Sequence, residues 1–311
     1  MRALGQPAIT LFVTIISLTV LSLELAAAQD AKAEQVLAAA RAALGGEARI
    51  AAVKTFIATG RTRQVRGENL VPIEFEIQSE LPDKYSRRDE FPAQDSGPAT
   101  SGFNGDKLIQ IPAPPAPVAR GGGPAPSAAQ IEAGQRARLI GVKQDFARLM
   151  IGMFATSFSG FPLTFAYVAQ AEAPQGKADV IEVKGPANFA ARLFIHSETH
   201  LPIMLTWQAP SPPARGGGPP GAGPPGGGPP PGGAPPARGG PPAGAGPPPE
   251  GAPKPALVEQ RMYFADYREV DGLHLPFRIR RAVGADTTEE TTFDRFRINA
   301  RVDPRRFAVE P

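Results

Sequence analysis

The chain has 311 residues, 33 Lys and Arg against 30 Asp and Glu for a net charge of +3, and no cysteine. Without thiols it cannot hold disulfides, thiolate metal sites, a Cys nucleophile or a lipid-modified N-terminal cysteine. Two of the three net positive charges fall between Pro210 and Pro255, where Arg215, Arg238 and Lys254 stand against Glu250. The remainder is close to neutral and lacks the basic stripe of a nucleic-acid module.

The N-terminus reads as a secretory signal peptide: Arg2, an apolar run from Ala8 to Val20, and the small-residue end Ala26-Ala27-Ala28 before Gln29. An uncleaved membrane anchor is the alternative, because Ala8 to Ala28 is long enough to span a bilayer. Glu24 and the alanine end favour cleavage. Residues 29–311 are then expected as a single exported, periplasmic domain that touches membranes only transiently.

Ala31 to Leu44 is rich in strong helix formers and stops at Gly45-Gly46. A short helical turn is expected from Glu47 to Val53. A strand follows from Lys54, and Val71 to Gln78 alternates strictly, with Ile73, Phe75 and Ile77 on one side and Glu74, Glu76 and Gln78 on the other. Leu81-Pro82-Asp83 is a turn, Lys84 to Glu90 a strand, and Asn104-Gly105 marks a hairpin leading into Lys107 to Ile111. A Pro/Gly-rich loop covers 112–126. Ser127 to Phe154 reads as the one long helix, capped by Ser127 with Gln130 three residues on. Its apolar stripe runs through Leu139, Val142, Phe146, Leu149 or Met150, and Met153, with Arg136, Arg138, Lys143, Asp145 and Arg148 largely elsewhere.

Further strands are expected at Leu163 to Ala171, Lys177 to Lys184, Ala190 to Glu198, Pro202 to Gln208, Leu257 to Arg268, Leu273 to Ala282 and Thr287 to Ile298. Turns about every ten residues indicate an antiparallel meander. Between Pro210 and Pro255, 19 of 46 residues are proline and 15 glycine. This tract separates two neighbouring strands, so it reads as an overgrown loop within one domain rather than a linker between two.

Catalytic patterns are lacking. His196 and His200 lie four apart on a strand entering a turn, where extended backbone would hold their rings roughly 13 Å apart, and no third metal ligand is in view. The pairs Glu74/Glu76 and Glu289/Glu290 read as solvated carboxylates. Ser157 to Gly160 lacks the frame of a nucleophile elbow. His274 reads as a surface residue beside a turn. Arg-Gly-Gly at Arg120, Arg215 and Arg238 has no interleaved aromatics and reads as solvated charge.

What stands out is an excess of Phe and Met around the end of the long helix and in the later strands. It has two readings. The residues pack a core, or helix and sheet fail to meet and leave an apolar groove lined by Phe75, Phe146, Met150, Met153, Phe154, Phe165, Trp207, Met262, Phe264 and Phe277.

The run from Tyr263 to Phe277, with Phe264, Tyr267, Val270, Gly272 and Pro276 in the form F-x-x-Y-x-x-V-x-G-x-x-x-P, continues to Phe296-Arg297-Ile298-Asn299 and Val302-Asp303-Pro304. With Ala40 to Gly46 near the start, it resembles the periplasmic lipoprotein-carrier superfamily of Lol-type carriers. The resemblance implies an incomplete antiparallel β-barrel wrapped around helices, an apolar cavity for acyl chains, and no catalysis.

The expectation is therefore a mainly β (α+β) fold: an incomplete antiparallel β-barrel of about ten strands around one long helix and an N-terminal helix. It is expected to bind a lipid or acylated ligand without enzyme activity, metal, cofactor or nucleic acid. The alternative is an envelope scaffold that binds a protein partner through its Pro/Gly-rich loop.

Overall fold

The computed structural model describes residues 29–67, 69–92, 97–114, 125–158, 160–173, 176–210 and 256–309. The expected leader, residues 1–28, and all of the Pro/Gly tract beyond Pro210 lie outside them. Among the described residues two helices come first, α1 (residues 29–43) and α2 (Glu47–Ala51). Five strands follow: β1 (Thr55–Arg66), β2 (Asn69–Glu80), β3 (Lys84–Glu90), β4 (Ala99–Asn104) and β5 (Lys107–Ile111). The long helix α3 (Ala128–Phe154) leads to β6 (Thr164–Ala173), β7 (Gly176–Gly185), β8 (Phe189–His196) and β9 (Pro202–Pro210). The chain ends with β10 (Leu257–Val270), β11 (Leu273–Val283), β12 (Asp286–Ile298) and a 3-10 turn at Pro304–Phe307.

All twelve strands join one antiparallel sheet in the order β5-β4-β3-β2-β1-β12-β11-β10-β9-β8-β7-β6. The count exceeds the ten or so expected. Every neighbour is a sequence neighbour except β1 and β12, which bring the two ends of the domain together at mid-sheet. The sheet does not close: β5 and β6 are its two edges, and α3 is the segment that connects them. A helix of 27 residues is about 40 Å long, so it carries the chain from one edge to the other across the opening.

The curvature shows in what α3 touches. The Phe146 ring lies 6.5 Å from Phe56 of β1, 4.5 Å from Tyr85 of β3 and 5.5 Å from Phe103 of β4. Two residues on, the Arg148 guanidinium lies 5.2 Å from the ring of Phe189 on β8 and 4.4 Å from that of Trp207 on β9. A flat sheet could not bring β3 and β8 to one turn of a helix. The sheet is a half-barrel wrapped around α3.

Sequence explains which half of α3 is held. The Ser127–Gln130 capping box starts the helix, and Ala155 ends it in a left-handed conformation. From Phe146 to Phe154 every residue is buried, whereas most of the first turns are exposed. Midway, Lys143 Nζ reaches Asp106 Oδ1 at 2.8 Å and ties the helix to the β4–β5 turn. Helix α1 buries Ala33, Val36, Leu37 and Ala40, one amphipathic face, and Leu44 of the turn that follows is buried with them. Its Arg41 pairs with Glu34 and Glu47 and reaches the carbonyl of Ala155 at the end of α3. On the convex side the C-terminal turn packs Val302 and Phe307 against Ile57 and Ile109 as a second small core.

Gly152 sets how closely α3 approaches β10, because a Cβ there would lie 2.1 Å from the Phe264 ring. Helix propensity favours Gly152→Ala by about 1 kcal/mol, while overpacking costs about 1–3 kcal/mol. The expected net is a destabilisation of up to about 2 kcal/mol, read as a lowered urea midpoint at unchanged m value. A raised midpoint, as helix propensity alone would give, contradicts the close seating.

Candidate functional site

The concave face is apolar at its base and charged at its rim, and strand register sets the boundary. One inward row runs Leu193, Leu205, Met262, Arg281, Glu289, Gln64 across β8, β9, β10, β11, β12 and β1. Its first three members are apolar and buried, and its last three polar and half-buried. The next inward row holds Phe264, Ile279, Thr291 and Thr62. Beyond it, Gly60 sits between Phe75 and Phe293, whose rings meet edge to face at 5.4 Å over the missing side chain.

The rim is a connected polar network. The hydroxyls of Thr62 and Thr291 are 2.9 Å apart, and Arg87 donates to Thr62 Oγ1 at 3.2 Å and to Asp89 Oδ1 at 2.8 Å. Thr291 donates to Glu289 Oε1 at 3.2 Å. From α3, Asp145 Oδ1 accepts from Arg148 Nη1 at 2.9 Å and lies 3.9 Å from Arg281 Nη1. A cavity of about 40 Å³ lies between Asp145 and Leu149 above and Arg87, Met262, Arg281 and Phe293 below. That is room for about one water molecule. Burial pushes the Arg148 guanidinium down from its ordinary range, and the Arg281 charge adds to this against the pull of Asp145. The Arg148 Nε is buried without a hydrogen-bond partner among the described residues. Burial pushes the Tyr85 phenol up to about 12.

All ten residues expected to line an apolar groove gather in one cluster. Phe146, Met150, Met153 and Phe154 form the buried half of α3, facing Phe75, Met262, Phe264 and Phe277 from the sheet. Phe165 and Trp207 are half-buried and pack against the others. These side chains fill the centre: the Phe and Met excess packs a core, and the open groove expected between helix and sheet is not found among the described residues, because α3 seats directly on the concave face. The 40 Å³ cavity beside them is far smaller than an acyl chain needs. Larger clefts lie on the outer surface, one of about 570 Å³ between the exposed half of α3 and β5, and one of about 460 Å³ beside Phe194, Met204 and Tyr263.

Several polar residues sit elsewhere than the pattern indicates. Arg148, assigned to the helix's solvent side, is only 8% exposed because the curved sheet reaches it from β8 and β9. The Glu289/Glu290 pair is split by strand parity, Glu290 outward and exposed and Glu289 inward at the rim. His196 uses Nδ1 to accept from the backbone N–H groups of Glu198 and Thr199, a turn-holding role. His274 is half-buried, with Nδ1 buried and unpartnered. Among the described residues no cluster of three or more metal-ligating side chains occurs, and no helix is long and apolar enough to cross a membrane. The rim itself was not anticipated. Parity could have found it, since Arg281 shares a face with Phe277 and Ile279, and Arg87 with Tyr85.

No family model and no curated protein matches the chain. Among solved structures, a LolA superfamily protein of Nitrosomonas europaea is similar at 10% identity and TM-score 0.48, covering 89% of this chain and 97% of its own. A putative outer membrane lipoprotein-sorting protein domain of Vibrio parahaemolyticus gives 10% identity and TM-score 0.45 over 88% and 97%. A DUF1329 family protein of Desulfovibrio piger gives 6% and 0.40 over 89% and 97%. These are remote likenesses.

Two predictions concern the interior. Removing one member of a buried ion pair is costly where it strands the other charge away from water, but Asp145 is more than half exposed and keeps water and Arg281 as partners. Arg148→Met is therefore expected to hold or raise the melting temperature; a fall of more than about 2 kcal/mol in stability contradicts this. For Tyr85, the unfolded phenol ionises near 10 and the folded one near 12. Stability is full below pH 10 and falls by roughly 2–3 kcal/mol between pH 10 and 12. Urea titrations across that window are expected to show a shallower decline for Tyr85→Phe, and an equal decline contradicts the burial of the phenol.

Proposed function

We propose that this chain is an exported, non-catalytic binding protein that takes a lipid or acyl chain between α3 and the concave face of its half-barrel. The observation that carries the reading is the inward cluster on an open sheet: Met150, Met153 and Met262 among Phe75, Phe154, Phe264 and Phe293, covered by a helix rather than by further strands. To admit a chain, α3 must move off the concave face. Its hold there is mainly apolar, and an acyl chain replaces apolar contact with apolar contact, at about 0.8 kcal/mol for each CH₂ buried. Methionine, unbranched and polarizable, adapts to such an exchange.

Export is supported by the charged start, apolar run and alanine end of residues 1–28. A lipid ligand is supported by the resemblance of the Tyr263–Phe277 motif to lipoprotein carriers. A periplasmic site with transient membrane contact follows from both.

Native mass spectrometry after gentle extraction is expected to show co-purifying lipid, and stripped protein is expected to take up a fluorescent fatty acid. Carbodiimide coupling of Lys143 to Asp106, 2.8 Å apart, should pin α3 to the β4–β5 turn. Uptake is then expected to fall about tenfold or more, equivalent to roughly 1.4 kcal/mol, while Lys143→Arg treated identically keeps it. Protein that is lipid-free and ignores the fatty acid overturns the proposal.

A further inference from the structure

The rim holds more donors than its acids satisfy. Arg87 is matched, with Asp89 at 2.8 Å and Thr62 at 3.2 Å. Arg281 is not: its ion pairs, to Asp145 and Glu289, are both 3.9 Å long, and its side chain donates no hydrogen bond among the described residues. Glu289 is meanwhile engaged by the Thr291 hydroxyl at 3.2 Å. Among the described residues Arg148 has one hydrogen bond, to Asp145 at 2.9 Å, and a buried Nε with no acceptor. Both guanidiniums reach toward the same oxygen, Asp145 Oδ1, so their Nη1 atoms lie within roughly 7 Å of one another, the sum of the two separations.

Two arginines thus share one carboxylate that is itself more than half exposed. The place opens to water at Asp145 and meets the apolar interior at Leu149, Met262 and Phe293. Phe189 and Trp207 flank Arg148 and hold its guanidinium in place. An arginine fork matches planar or tetrahedral oxyanions and bonds them more strongly than neutral acceptors.

We infer that the ligand is an anionic amphiphile, whose carboxylate or phosphate head is bound by Arg148 and Arg281 at the rim while its chain lies among the inward Phe and Met residues. The inference rests on the proposed uptake of an acyl chain and adds the chemistry of its head. The head would share or displace Asp145 as the partner of both arginines. Asp145, Glu289 and Asp89 are the acids that face it, so a cationic head would meet two arginines already short of acceptors.

The test compares laurate, dodecyl phosphate and dodecanol, three probes of equal chain length, by displacement of a fluorescent fatty acid below their micelle concentrations. The wild-type chain is expected to bind the two anionic probes at least about tenfold more tightly than dodecanol, a difference of roughly 1.4 kcal/mol. In Arg281→Gln, and separately in Arg148→Met, that preference is expected to disappear while dodecanol affinity stays unchanged. Circular dichroism confirms that each variant is folded, and Arg281, partly exposed, gives a readout independent of burial at Arg148. A preference for laurate alone, or for dodecyl phosphate alone, tells a carboxylate site from a phosphate site, and either supports the inference. Equal affinity for all three probes overturns the anionic head and leaves chain uptake standing. A preference that survives both substitutions overturns the assignment to these arginines. Binding of none of the probes overturns this inference together with the proposed function.

Discussion

The seating of Phe146 to Phe154 on the concave face is the contact on which the rest of the molecule depends. Strand pairing alone would leave a twelve-stranded sheet with one apolar side in water. The chain leaves that sheet at one edge and re-enters it at the other, so the intervening helix is obliged to cross the opening. By crossing, it gives β1, β3 and β4 on one flank and β8, β9 and β10 on the other a common partner. Burial of that shared surface is what bends the sheet, and the bend in turn creates an inside with a base and a rim.

The same contact explains why the centre is full. A half-barrel whose lining faced empty space would forfeit the dispersion contacts that close packing supplies. Here the helix's own Phe and Met side chains occupy the place. Occupancy by side chains and occupancy by a guest chain are alternatives of similar chemistry, which is why a filled centre and a binding function can belong to one protein. The rim obeys different physics. Its arginines and acids are linked through Thr62, Thr291 and Asp145, and the network stops short of satisfying Arg148 and Arg281. Unpaired donors at a buried site cost stability, and a site that carries such a cost invites a functional reason.

Much of the fold is legible in the sequence. Alternation in β2, the Asn104-Gly105 hairpin and the Ser127–Gln130 cap each act through neighbours a few residues away, so local patterns locate them. Helix α3 and strands β3 and β5 fall almost where their patterns place them. The number of strands in one sheet, the pairing of β1 with β12 and the free edges depend on contacts more than two hundred residues apart and leave no local trace. The candidate site divides in the same way. Phe and Met clustering is compositional, so the ten apolar residues are legible as a group, and all ten meet in one core cluster. Whether they surround a space or fill one depends on how near α3 approaches, which is decided by Gly152 against Phe264. Arg148 misleads because a helical wheel assumes one buried side, and a sheet that wraps the helix buries a second.

Movement of α3 away from the concave face is the central claim, and a distance reports it most directly. The chain has no cysteine, so two introduced ones, at Arg138 on the exposed half of α3 and Arg63 on the outer face of β1, can carry nitroxide labels without interference. Pulsed dipolar spectroscopy with and without bound laurate should show the label separation shift by about the width of an acyl chain when the ligand is taken up. A separation that stays fixed while laurate is demonstrably bound would mean that the ligand sits elsewhere and that α3 is a permanent part of the core.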